Sequence, residues 1–316
     1  DTAYLFILLF LFQWLGFSSL LAARAGAWSG IPFVALTWYL GIAFLGYFIL
    51  NLPFNFYGSF LLEYSFRLST QKFSDWFKDQ IKGLSISFII VWILTQALFY
   101  VVNRFPQNWW IYVSLFWIFS SVVLTKVAPI IIMPLFFKSK KMEDELLKAR
   151  ILDLAGRMGV RLLDVFEIDF SKKTVKANAA FTGMGSTKRV LLADTLRNKY
   201  SHEEIGVILA HEFAHYKLRH VLKLILMNGV ATFISFYLIA LTSYDAASFF
   251  GLPRLSDMAA LPIFFMYLTI LGVVMQPFGN WVSRCFERSA DRMALSVTKD
   301  PGAFIAMMEK LSDQNI

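Results

Sequence analysis

The sequence predicts a mainly α, polytopic membrane fold: a helical bundle or barrel of six spans with a small α+β insertion on the cytosolic side. Three observations predict it. Only 16% of the 316 residues are charged, 57% are hydrophobic, and the mean hydropathy is +0.57. A soluble domain carries about 25% charged residues, so a water-facing globule, a disordered linker and a fibrous repeat are excluded. Uncharged runs long enough to cross a bilayer, about 20 residues in helical form, recur along the chain. The charges that remain are gathered into a few segments between those runs.

Taken in order, Thr2–Ala23 is free of charge for 22 residues and reads as the first span. Ala25–Leu62 is free of charge for 38 residues. It divides into a second span at Phe33–Asn51 and an aromatic-rich re-entrant segment at Pro53–Leu62. The runs Gly83–Asn103, Phe105–Thr125, Leu224–Tyr244 and Met258–Ser283 supply four more spans. Trp109 and Trp110 suit an interfacial belt at the start of the fourth. Pro129 and Pro134 are expected to end it. The domain organisation that follows is spans 1–4 in residues 1–133, with a cytosolic loop at 52–82. A cytosolic α+β segment at 134–220 comes next, then a transmembrane hairpin at 221–282 and a cytosolic helix at 283–316.

The sidedness comes from the basic residues. Of 30 Lys and Arg, 26 lie in 63–82, 134–223 and 284–316, and only Arg24, Arg104 and Arg254 lie in the connections on the other face. The positive-inside rule places the heavily basic face in the cytosol. The net charge of +8 is therefore a topological label and no sign of nucleic-acid binding. A single cysteine, Cys285, agrees with a reducing compartment. The start at Asp1, with no basic segment ahead of the first span, points to a further segment upstream and not to an intact signal peptide.

Within 134–220, Glu143–Met158 repeats apolar residues at helical spacing (Leu147, Ile151, Leu154, Met158) and stops at Gly159. Val165–Ile168 alternates as a half-buried strand does. Val175–Phe181 and Arg189–Ala193 flank a Gly183–Gly185 turn and predict a β-hairpin. Ser201 with Glu204 three residues on forms a capping box, and the helix it starts is expected to run directly into the fifth span.

That helix carries His211-Glu212-Phe213-Ala214-His215, an H-E-x-x-H pattern. Residues four apart lie on one helical face, so both imidazoles can reach one metal ion, and the intervening Glu can reach a water beside it. His202 and His220 flank the motif and read as a cap and a surface residue. A catalytic zinc usually takes three protein ligands. The transmembrane hairpin returns the chain to the same face at Glu287 and Asp291, again four apart. One of the two can ligate while the other accepts a hydrogen bond from a ligand imidazole. Cys285 points to another face. A zinc, a glutamate base and no phosphate-binding glycine loop predict peptide hydrolysis. A transporter or scaffold that merely binds metal is the alternative; it calls for functional polar groups inside the spans, where Gln13, Gln96, Lys126, Asn228 and Gln276 are the candidates.

The pair His211-Glu212-x-x-His215 and Glu287-x-x-Ala290-Asp291, on either side of a transmembrane hairpin, resembles the type I CAAX prenyl proteases. Three other stretches are similar to that family: Pro53–Phe66, Pro129–Phe136, and Lys176–Phe181 with Leu191–Leu196. The resemblance implies one zinc ion per chain on His211, His215 and Glu287, with Glu212 as base and Asp291 as an acid that accepts a hydrogen bond from a ligand imidazole. It implies an edge strand, Ala177-Asn178-Ala179-Ala180, that pairs with substrate backbone. The substrates implied are lipidated or other membrane-associated peptides, cut near a prenylated C-terminal cysteine. A membrane-protein quality-control protease shares the zinc motif and is the enzymatic alternative. Where the family has Gly, His and Trp, this chain has Ala214, His215 and Tyr216. The family also leads one to expect a seventh, N-terminal span and a His-Pro segment with a following Arg, neither within Asp1–Ile316.

Overall fold

The computed structural model describes residues 2–183 and 188–313. The remainder of the expected Gly183–Gly185 turn lies outside the described residues. The chain forms two compact units, 1–54 with 80–121 and 225–280, and 55–79 with 122–224 and 281–316.

Five helices among the described residues are long and apolar enough to cross a membrane. They are α3 (Pro32–Ser65), α4 (Phe73–Arg104), α5 (Trp109–Phe136), α9 (His220–Phe249) and α10, whose helical core is Leu261–Thr298. The first expected span is divided into α1 (Thr2–Trp14) and α2 (Phe17–Trp28), bent by 64°. Gly16 sits at the break with φ 75°, a conformation that glycine alone adopts without strain. The bent pair counts as a sixth span if it crosses as one.

Two further expectations are corrected. Pro53–Leu62 is no separate re-entrant segment, because α3 continues as a helix to Ser65 through a π-helical stretch at Tyr57–Leu62. Pro129 and Pro134 likewise do not end α5, which passes through a π-helical stretch at Ala128–Ile132 and runs on to Phe136. In an apolar setting an abandoned backbone group is costly; a wider turn takes up Pro129, whereas Pro53 and Pro134 lie in α-helical stretches next to the π turns.

The first unit packs Leu36, Tyr39 and Leu40 of α3 with Leu98 and Phe99 of α4, Trp109 and Val113 of α5, Phe236 and Ile239 of α9, and Ile263 and Phe264 of α10. Several of its polar groups are paired internally, although the buried Gln13 Oε1 is not. Ser18 Oγ donates to the Ala259 carbonyl at 2.7 Å, which leaves the Tyr39 hydroxyl to donate to Ser18, also at 2.7 Å. Trp92 Nε1 and Gln96 Nε2 both donate to Thr37 Oγ1. Large apolar side chains such as Trp14, Leu20, Trp38 and Phe119 face outward, as lipid-facing residues do.

The second unit holds a four-stranded sheet: β1 (Ser139–Lys141), β2 (Asp164–Ile168), β3 (Ala179–Thr182) and β4 (Arg189–Ala193), in the order β1-β2-β4-β3. β3 and β4 pair antiparallel as the expected hairpin, with Ala179 opposite Leu192. β2 and β4 are parallel, and β1 is an antiparallel edge that the sequence reading did not contain. Asp144 caps α6 (Glu145–Arg157) by accepting the Leu147 N–H at 2.9 Å. After the short α7 (Asp194–Lys199) comes α8 (His202–Lys217), started by the Ser201/Glu204 capping box. Leu147, Ile151 and Leu154 of α6, Val165 of β2, Val190 and Leu192 of β4, and Ile205, Leu209 and Phe213 of α8 make one core. The final helix, α11 (Pro301–Asp313), adds Met307 to it.

The helix that starts at Ser201 does not run directly into α9. It ends at Lys217, Arg219 takes a left-handed φ of 55°, and α9 begins afresh at His220. The Leu218 N–H still reaches the Ala214 carbonyl, and the Arg219 N–H reaches Tyr216, so these two donors stay paired across the break.

Candidate metal centre

α8 presents His211 and His215 on one face, one turn apart. Phe213, on the opposite face, and Ala214, on the flank, are fully buried and fix the helix's rotation. Ala214 stands in the core, and its methyl group is accommodated there. α10 faces this stretch with Ala290 and Ala294, both fully buried. Their small side chains let Glu287 and Asp291 reach across.

His211 Nε2 lies 2.9 Å from His215 Nε2 and 3.1 Å from Glu287 Oε2, which is 3.6 Å from His215 Nε2. Zinc held tetrahedrally at about 2.0–2.1 Å needs its donors about 3.3 Å apart, so these separations bracket the requirement. One carboxylate and two imidazoles are also a donor set that zinc accepts. Glu287 is about half exposed, which leaves a solvent approach. Among the described residues this trio is the group able to hold a metal ion.

The other nitrogens of the two imidazoles are also engaged. Asp291 Oδ1 accepts from His211 Nδ1 at 2.8 Å. His215 Nδ1 lies 3.0 Å from Nδ1 of His220, which is buried and stacks on the Phe286 ring at 4.3 Å. His220 is thus no surface residue, and the sequence reading missed it because it assumed an unbroken helix. Residues five apart on one helix point in different directions; the turn at Arg219 is what brings His220 back onto His215. His202 is half-buried at the start of α8, 3.5 Å from Asp144. Cys285 is exposed and outside the trio.

Glu212 follows His211 on the helix. Burial pushes its carboxyl above the usual carboxylate range; His211 pulls it down and Glu287 adds to the rise. His215 is pushed below the usual imidazole range, chiefly by burial and then by His211.

Of the expected substrate strand, Ala179 and Ala180 lie in β3, the terminal strand of the sheet, whereas Ala177 and Asn178 form an irregular lead-in. The Asn178 carbonyl accepts from the Ala193 N–H at 2.9 Å, and Thr195 Oγ1 donates to the Lys176 carbonyl at 2.8 Å. Further back, Lys176 pairs with Glu63 and Lys173 with Asp79, so charge anchors this lead-in. β3 meets α8 through Phe181, whose ring lies 5.5 Å from Phe213 and 5.3 Å from Tyr216.

Comparison with known proteins accords with this geometry. The model of peptidase family M48 matches residues 141–313, more than half of the chain. The chain belongs to peptidase family M48. A second family model, the CAAX prenyl protease N-terminal region with five membrane helices, matches residues 1–138. These matches make the chain an integral membrane protein whose family implies a metal cofactor. It is 31% identical over 268 residues to the uncharacterized metalloprotease YhfN of Bacillus subtilis, covering 84% of this chain and 63% of that one. It is 31% identical over 265 residues to CAAX prenyl protease 1 of Saccharomyces cerevisiae, covering 78% and 58%. The crystal structure of S. mikatae Ste24p superimposes with a TM-score of 0.79 at 26% identity, over 89% of this chain and 69% of that one. The chain thus spans about three fifths of the length of these two relatives.

Proposed function

We propose that the protein is a membrane-embedded zinc endopeptidase that cuts peptide bonds near the C-terminus of prenylated, CAAX-type or other membrane-associated peptides. The observation that carries this reading is the convergence of His211, His215 and Glu287 within a few ångströms, with Glu212 beside them. The CAAX prenyl protease names of several relatives support the substrate class.

In this reading His211, His215 and Glu287 hold one zinc ion per chain, and Asp291 orients His211 by accepting its Nδ1–H. Zinc, when bound, polarises the scissile carbonyl and acidifies water. Glu212 takes the proton from the attacking water and returns it to the leaving amine. A carboxyl with raised proton affinity suits that shuttle better than an ordinary one. β3, the terminal strand of the sheet among the described residues, can receive the substrate as an added strand, with Ala177 and Asn178 leading into it and Ala179 and Ala180 at its start. Residues 134–220 and 283–316 lie on the cytosolic side, since 26 of 30 basic residues fall in or beside these segments and the loop at 63–82.

The test is to purify the full protein in detergent with zinc and incubate it with a farnesylated C-terminal peptide and its unlipidated twin. Preferential cleavage of the farnesylated peptide, abolished by Glu212→Gln, is expected. Equal cleavage of the two overturns the prenyl preference, and cleavage that survives Glu212→Gln overturns the mechanism.

A further inference from the structure

We infer that His220 is a positioning residue that fixes the tautomer of His215, through a proton chain that ends on the Phe286 carbonyl. The inference rests on the reading of His215 as a metal ligand.

The direction of the chain follows from its last member. Ser289 Oγ lies 2.8 Å from the Phe286 carbonyl, which can only accept, so the serine hydroxyl donates there. With its proton committed, Ser289 Oγ must accept at its other contact, His220 Nε2 at 3.1 Å. His220 therefore carries its proton on Nε2 and offers a lone pair at Nδ1. That nitrogen faces His215 Nδ1 at 3.0 Å, so His215 must donate from Nδ1. One proton remains to be placed on a neutral imidazole, and it is now placed. The lone pair of His215 is left on Nε2, the atom that meets His211 Nε2 and Glu287 Oε2. His211 reaches the same state by donating its Nδ1–H to Asp291.

Packing holds the relay rigid. His220 is only 2% exposed, and its ring stacks on Phe286 with an interplanar angle of 2°. Phe286 supplies both the stacking face and the terminal carbonyl, and Ser289 lies on the next turn of the same helix. The turn at Arg219 places His220 against that helix. The two imidazole ligands are thus oriented by different chemistry, His211 by a carboxylate and His215 by a neutral histidine relay. A neutral partner leaves the trio's charge unchanged, whereas a second Asp in that place would add a negative charge.

The experiment measures zinc affinity by chelator competition, with kcat and KM, on the full protein and on four variants. His220→Phe keeps a ring on Phe286 but removes the acceptor, and weakens zinc binding about 10–100-fold. His220→Asn places an amide oxygen near the position of Nδ1 and recovers most of that loss. Metal-free melting temperatures show that each variant is folded. Should His220→Phe fail to fold, Ser289→Ala takes its place; weakening by several-fold supports the relay. His215→Ala separates the two readings. If it leaves zinc affinity unchanged, the ligand reading itself fails. If it abolishes binding while His220→Phe stays within twofold of the parent, or His220→Asn recovers nothing, the relay is overturned and the ligand reading stands.

Discussion

Glu287 and Asp291 are four residues apart on one helix, both reach His211, and they are assigned different roles. Replacing Asp291 by Ala tests that division. Its Oδ1 accepts from His211 Nδ1 at 2.8 Å, while Glu287 Oε2 meets His211 Nε2 at 3.1 Å and His215 Nε2 at 3.6 Å. Asp291→Ala therefore leaves all three donor atoms in place and removes only the group that orients one of them. Loss of such a partner weakens metal binding about 10–100-fold, which is about 1.4–2.7 kcal/mol. The Asp291 side chain is 37% exposed, so water competes for the hydrogen bond and the lower end of that range is expected. Asp291→Asn keeps an acceptor without the charge and falls between parent and Ala. Glu287→Ala removes a donor that faces both histidines and costs more than Asp291→Ala. The assay is zinc competition with a chromophoric chelator on detergent-purified protein, with metal-free melting as the folding control. If Asp291→Ala binds zinc as the parent does, the orienting role is refuted. If it loses more than Glu287→Ala, the two assignments are reversed.

Glu212→Gln keeps zinc binding and lowers turnover about 10²–10⁴-fold, as stoichiometry by metal analysis alongside peptide cleavage will show. The same variant gives a stability signature in the metal-free protein. The Glu212 pKa is raised in the folded state, so the folded state binds the proton more tightly than the unfolded chain. Its contribution is fully present below the ordinary carboxylate value and is lost as pH rises through the raised one. Glu212→Gln should thus melt progressively higher than the parent as pH climbs from about 4 towards 7; a constant difference across that window contradicts the assignment. Asp144→Ala removes the α6 cap and costs about 1 kcal/mol. The Leu147 N–H chiefly holds Asp144 below its ordinary value, so this penalty is present at neutral pH and fades as pH falls through the lowered pKa, a change that melting in acid detects.

How much of this was readable from sequence depends on the range of the interactions involved. The uncharged runs fix α4, α5, α9 and α10 because a helix in an apolar solvent needs nothing beyond its own residues. The capping box at Ser201 and the spacing of His211 and His215 are local too, and α8 carries both. The partnership of Asp291 with His211 spans 80 residues, yet four-residue spacing on a returning helix was enough to suggest it. What stayed hidden were breaks without punctuation and continuations through punctuation. Proline conventionally ends a helix, but α3 carries Pro53 within its α-helical part and α5 carries Pro129 in a π-helical stretch, with Pro134 in the α-helical turn that follows. Glycine at Gly16 was a visible signal for the bend between α1 and α2, overlooked inside an apolar run.

The break at Arg219 is the instructive case, because nothing local announces it. A left-handed arginine costs about 1–2 kcal/mol relative to glycine, and helical periodicity continues on both sides. The compensation comes from three side chains, two of them distant in sequence: Phe286 stacks on His220, Ser289 hydrogen-bonds it, and the nearby His215 pairs with it. Strain at one backbone position is thus repaid by burial and hydrogen bonding at the next, and the repayment falls at the candidate metal centre. Arg219→Gly should therefore be tolerated in zinc affinity, since the same turn becomes easier to adopt. Arg219→Val opposes the left-handed turn with a β-branched side chain and should weaken zinc binding through His220, although residue 219 is not among the proposed ligands. Equal zinc affinities for the two variants would mean that the turn is incidental to the site.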